Sequence, residues 1–204
     1  MKRYLIILFV FLTNPIFAQK RPMETKKLSS FGILLGSKTF YGDNFLTKTY
    51  SNRVSFNYDF NKIIYQNFGA GVFYRSTQAK LTTTEFVGNS TFAKITEYGF
   101  YINYLKEVGL RWHVLPKIGV SHFALRNRII STFDNEKYNY FTYGQTFYFS
   151  PEIHYLLNKD LRLCANAEYG FINLSSVKGN NMATGTNYNS ADQLNLGIGI
   201  KIGF

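Results

Sequence analysis

The chain has 204 residues and one cysteine, Cys164, so no internal disulfide is possible and stability must come from hydrogen bonding and packing. Cys164 itself is expected to be a small buried residue. Beyond the first dozen residues no apolar run reaches the roughly 20 residues that a helix needs to cross a bilayer. The three histidines, His113, His122 and His154, show no metal-ligand spacing. The pairs Gly69-Ala-Gly71 and Gly197-Ile-Gly199 sit inside strand-like stretches with no helix following to hold a phosphate, so they are expected to mark close backbone packing. No metal and no cofactor is therefore expected.

Aromatic residues are plentiful, 18% of the chain with 16 Tyr and 20 Phe, while the mean hydropathy is slightly negative. The final residues, Leu194-Asn-Leu-Gly-Ile-Gly-Ile-Lys-Ile-Gly-Phe204, alternate without interruption. Leu194, Leu196, Ile198, Ile200, Ile202 and Phe204 fall on one face, and Asn195, Gly197, Gly199, Lys201 and Gly203 on the other. That is the pattern of a strand with lipid on one side and a packed lumen on the other. A chain that crosses a membrane without helices must do so as a closed barrel, which alone satisfies every backbone polar group.

At the other end, Met1-Lys2-Arg3 precedes an apolar run from Tyr4 to Leu12, and Ala18 stands before Gln19. Residues 1–18 are expected to be a cleaved secretory signal, 19–28 a periplasmic tail and 29–204 one β-domain. Eight segments alternate: 29–36, 54–60, 68–81, 94–105, 112–128, 143–157, 161–174 and 191–204. In the fifth, Ile118 and Val120 take the apolar phase, but His122 and Ala124 follow in it while Phe123 and Leu125 take the other. This predicts a bulge or a rise above the membrane. The connections 61–66, 106–111 and 158–160 are short; 37–49, 82–93, 129–142 and 175–190 are long. Short turns belong in the periplasm and long loops outside, and an even strand number puts both termini at the periplasmic rim.

On its signal, strand rhythm, aromatic content and terminal Gly-Ile-Gly-Ile-Lys-Ile-Gly-Phe204, the chain resembles the small bacterial outer-membrane β-barrel family. The resemblance implies an all-β, eight-stranded antiparallel up-and-down transmembrane barrel, a monomer, inserted by the barrel-assembly machinery with Phe204 in its insertion signal. It implies a place more than an activity, since the family holds adhesins, tethers and lipid-modifying enzymes.

Under this phasing Asp59, Glu97, Glu152 and Glu168 face the lumen with Arg75, Lys117, Arg162 and Lys201, a balanced set expected to pair and plug a barrel this narrow. A narrow pore is the competing reading. Ser150, Glu152 and His154 share a face and offer the residue types of a hydrolase, but alternate residues on a strand stand about 6.6 Å apart, too far for a working relay. No catalytic residues and no enzyme activity are expected. A soluble carrier of an apolar ligand is disfavoured, because the phase carrying glycine and charge is too polar and too small for an apolar cavity.

The formal charge is +11, and removal of Lys2 and Arg3 with the signal leaves 21 bases against 12 acids, +9. Lys38, Lys48, Arg53, Lys80, Lys94, Arg126, Arg128, Lys137 and Lys178 lie around the outer strand ends, against Asp43, Glu85, Asp134, Glu136 and Asp192. The excess suits outer-membrane lipid and the phosphates of lipopolysaccharide; a solvated rim explains it equally, and nucleic acid is not an expected partner. Tyr138, Tyr140, Phe141 and Tyr143 are expected in an outer aromatic girdle, and Trp112, Tyr104, Tyr155 and Phe204 in an inner one.

Overall fold

The structure, a computed structural model, describes residues 29–82, 90–130, 137–175 and 189–204. The expected signal and tail, and parts of the connections 82–93, 129–142 and 175–190, lie outside the described residues. Eight long strands follow in chain order: β1 (Ser29–Tyr41), β2 (Tyr50–Tyr65), β3 (Phe68–Leu81), β4 (Ser90–Tyr104), β5 (Trp112–Ile130), β6 (Lys137–Leu156), β7 (Leu161–Leu174) and β8 (Ser190–Gly203). A short stretch, Lys106–Val108, prolongs β4 beyond Leu105 and pairs with the start of β5.

Each strand pairs antiparallel with the next, and β8 closes on β1. The ends meet: Ser29 N–H donates to the Phe204 carbonyl at 3.2 Å, and Phe204 N–H to the Ser29 carbonyl at 3.0 Å. The pairing runs from Phe31 through Phe60, Val72, Phe100, Val120, Phe147, Phe171 and Asp192 and returns to β1 at Tyr41, ten residues further on. At ordinary strand rise and spacing, that stagger over eight strands tilts each by about 40°, as in closed membrane barrels.

Around the end that carries the chain termini, the wall is apolar outside. Ile198 is 70% exposed, Phe100 62% and Ile102 62%, which in water would be a severe liability and in lipid is the required surface. The aromatic pairs Trp112–Tyr155, with ring centroids 4.9 Å apart, Phe68–Tyr104 at 5.0 Å and Phe60–Phe204 at 6.2 Å sit at this rim.

Toward the opposite end, the loop end, the wall changes sides. Ser37, Thr39, Gln78, Lys80, Gln145 and Asn173 point outward, while Phe40, Ile95, Phe123, Leu125, Ile172 and Leu174 are buried inside. β5 pairs with β6 in one unbroken register from Trp112 to Ile130, so the phase change near His122 is the rise above the lipid and not a bulge. Phe141 and Tyr143 stack outward beside this transition, with centroids 6.1 Å apart; the side chains of Tyr138 and Tyr140 lie outside the described residues.

The expected loop 37–49 is mostly regular structure. β1 continues to Tyr41, Gly42 turns with φ +91°, and a short helix α1 (Phe45–Thr49) leads into β2. Asn44 caps α1 by accepting from the Thr47 N–H at 3.0 Å. Phe45 and Leu46 drop into the barrel mouth onto the apolar cluster, with Phe45 edge-on to Tyr50 at 5.7 Å.

Candidate functional site

The lumen is built by the inward phase of all eight strands. Bulky neighbours fit because small residues face them: a Cβ on Gly32 would stand 2.6 Å from Lys201 Cγ, and one on Gly71 would collide with the Tyr101 ring. Asp59, Arg75, Glu97, Lys117, Glu152, Arg162, Glu168 and Lys201 are all at most 9% exposed and point inward. The structure sorts them into two groups at different depths.

The group nearer the termini joins Asp59 of β2, Lys117 of β5, Glu152 of β6 and Lys201 of β8. Lys201 Nζ lies 2.5 Å from Asp59 Oδ1 and 2.6 Å from Glu152 Oε1. Lys117 Nζ lies 3.1 Å from Asp59 Oδ2 and 2.6 Å from Glu152 Oε2. Two ammonium groups thus bridge two carboxylates, and the formal charge of the four is zero. Tyr101 donates to Asp59 at 2.7 Å and lays its ring 4.6 Å from Lys117 Nζ.

The group nearer the loop end joins Lys38 of β1, Arg75 of β3, Glu97 of β4 and Glu168 of β7. Arg75 grips Glu168 with both terminal nitrogens, at 2.6 and 2.7 Å, and reaches Glu97 at 3.1 Å. Lys38 pairs with Glu97 and donates to Gln193 at 3.1 Å. These four also sum to zero. Lys38 corrects the expectation of a rim cation, for it is fully buried. The strand continues six residues past Leu35, to Tyr41, and its inward phase falls on 38. Arg162, at the terminal mouth, joins neither group, and its Nε has no partner among the described residues.

Between the groups stand Phe73, Tyr101 and Tyr148, with Phe73 and Tyr148 edge-on at 5.5 Å. Ile63, Leu105 and Leu115 cluster toward the terminal end, and the larger apolar cluster under α1 fills the loop end. From one mouth to the other the order is apolar, ionic, aromatic, ionic, apolar.

The spacing argument against contact along β6 fails in one place. Glu152 and His154 touch through Oε1 and Nε2, because side chains on one face of a strand lean along it. Ser150 stays out of that contact: it accepts from Asn166 at 3.4 Å, and Glu152 is already held by two lysines. All three residues are at most 2% exposed, inside the wall. His122 points outward between Tyr98, at 5.0 Å, and Tyr143, at 5.7 Å. Cys164 is buried and unpaired. Among the described residues no group of His, Cys, Asp and Glu has the arrangement to hold a metal ion.

No protein-family model and no curated protein matches the chain. Solved structures do. Neisserial surface protein A matches 86% of this chain and 97% of its own, with a TM-score of 0.56 and 12% identity. Ail, the attachment invasion locus protein of Yersinia pestis, matches 88% and 100%, with a TM-score of 0.55 and 10% identity. A major outer membrane protein from Thermus thermophilus matches 86% and 99%, with a TM-score of 0.52 and 11% identity. With its closed ladder, apolar outer wall and polar lumen, the chain has the fold of the small eight-stranded bacterial outer-membrane barrels.

Proposed function

We propose that this protein is a non-enzymatic barrel of the bacterial outer membrane, with its lumen plugged and a structural or surface-interaction role. Both termini lie in the periplasm, and the loop end, with α1 and the longer connections, stands outside the cell. The carrying observation is the filling of the lumen: two ion groups of zero formal charge, each knitted across four strands, with apolar clusters on either side. An ion entering such a path would have to break buried pairs whose members have no water to replace their partners.

Connection length supports this orientation. The turns at the terminal end are as tight as Gln66–Asn67, and those at the loop end are longer, the usual asymmetry of outer-membrane barrels. A hydrolase reading has no geometric support, because Ser150 and His154 are walled inside the barrel. The test is conductance in planar bilayers. Purified protein is expected to give no steady porin-type current; reproducible ion-selective channels whose selectivity moves on Lys117→Gln or Glu97→Gln would establish the narrow pore instead.

A further inference from the structure

The outer face of β3–β6 near the loop end carries a graded set of side chains that the lumen account does not use. In register across the strands lie Gln78, Lys94, Arg126 and Phe141; one step toward the termini, Ser76, Thr96, Ala124 and Tyr143; then Tyr74, Tyr98, His122 and Gln145; then Val72, Phe100, Val120 and Phe147. Moving toward the lipid-facing wall, the surface passes from cations to small and hydroxyl-bearing side chains, then mostly aromatic rings, then apolar groups. An amphipathic lipid presents that order from its phosphate inward to its acyl chains.

We propose that this face binds a phosphorylated glycolipid of the outer leaflet, with a lipid-borne phosphate seated between Lys94 and Arg126. Three observations support it. Lys94 and Arg126 are direct cross-strand partners, and like charges so placed repel unless an anion lies between them. The only carboxylates on β3–β6, Glu97 and Glu152, point into the lumen, so among the described residues of these strands no acid faces the pair. Arg126 is also held in place: its Nε and Nη2 both donate to Asn139 Oδ1 at 3.2 Å and its guanidinium lies 5.8 Å from the Phe141 ring, which leaves Nη1 outside these bonds. Beneath the cations, Thr96 and Ala124 leave a low step above the Tyr98–His122 pair, where a sugar ring would rest. A free anion would meet the cations alone, whereas a lipid-borne one also covers the apolar wall below, and that favours the lipid.

The proposal rests on the membrane placement given above, with the loop end outside. Its test is independent of orientation. Purified protein in a zwitterionic detergent is titrated with bisphosphorylated lipid A, with lipid A stripped of both phosphates, and with inorganic phosphate, and bound lipid is counted by native mass spectrometry. The phosphorylated lipid is expected to bind wild type about thirtyfold more tightly than the Lys94→Gln/Arg126→Gln variant, the ratio that two basic contacts at an anionic lipid surface correspond to. Lys62→Gln, a substitution at an exposed lysine near the opposite rim, is the control and is expected to bind as wild type. Retained heat-resistant migration on SDS gels shows that the double variant still folds. Equal binding by the double variant, equal binding of the dephosphorylated lipid, or competition by inorganic phosphate at similar affinity would each overturn the proposal. Orientation is read separately, by labelling a cysteine placed at Asn139 on intact cells, so failure of that reading is distinguishable from failure of the lipid site.

Discussion

Replacing Glu97 by Gln tests whether the lumen pairs hold the barrel together. Glu97 is 1% exposed and receives Lys38, Arg75 and Gln193. The substitution is nearly isosteric, so it removes charge and leaves volume. Arg75 keeps its two-pronged contact with Glu168, but Lys38, fully buried, loses its only carboxylate and keeps neutral amide oxygens alone, that of Gln193 and that of the new side chain. Removing one partner of a buried pair costs about 3–5 kcal/mol, most of it the penalty on the stranded charge. Removing the stranded charge as well, in Lys38→Met/Glu97→Gln, is expected to recover more than about 1 kcal/mol of that loss, because the two effects share one contact. The assay is equilibrium unfolding by guanidinium in lipid vesicles, followed through the single tryptophan, Trp112. A loss below about 1 kcal/mol for Glu97→Gln, or a double variant no better than the single one, would refute the reasoning that these pairs are dry and mutually dependent.

Two further substitutions address the wall and its closure. Ile198→Lys puts a charge on a residue 70% exposed on the apolar face and is expected to cost about 2–4 kcal/mol if it lies near the bilayer midplane. Asn195→Lys, on the lumen face directly across the ladder from Glu168, is expected to assemble better than Ile198→Lys, as quantified by the heat-resistant fraction on SDS gels; equal or reversed yields would contradict the phase of β8. Deleting Phe204 removes its contact with Phe60 and both backbone bonds to Ser29, and is expected to reduce assembly sharply while export continues; unchanged heat-resistant barrel in the membrane fraction would contradict this.

Alternation carried most of the fold because lipid imposes one rule on every strand it touches: apolar outward, polar or small inward. Where that rule holds, as from Leu194 to Phe204, the sequence shows both the strand and its facing. The rule inverts above the lipid, where water is outside and the interior must be dry. There Ser37 and Thr39 face out while Lys38 and Phe40 face in, so a search for outward apolar residues stops at Gly36 and places Lys38 on the rim. The same inversion hides the upper part of β6 and the apolar cluster under α1. One signal of it was visible in β5, where Phe123 and Leu125 leave the phase of Ile118 and Val120. The lumen acids and bases were legible as an inward set, but their division into two neutral groups was not. Which carboxylate meets which ammonium depends on the ten-residue stagger of the closed barrel, and no single strand encodes that.

The most direct test of a membrane barrel whose wall changes sides near His122 is a nitroxide scan along β5 in lipid vesicles, read by collision with oxygen and with a water-soluble nickel complex. Labels would replace Ile118, Val120, Phe123, Ala124 and Arg126 one at a time in a Cys164→Ala background. Labels at 118 and 120 are expected to be relaxed by oxygen and those at 124 and 126 by nickel, with 123, fully buried, shielded from both inside the barrel. Nickel access at 118 and 120, or strong oxygen access at 123, would contradict the account.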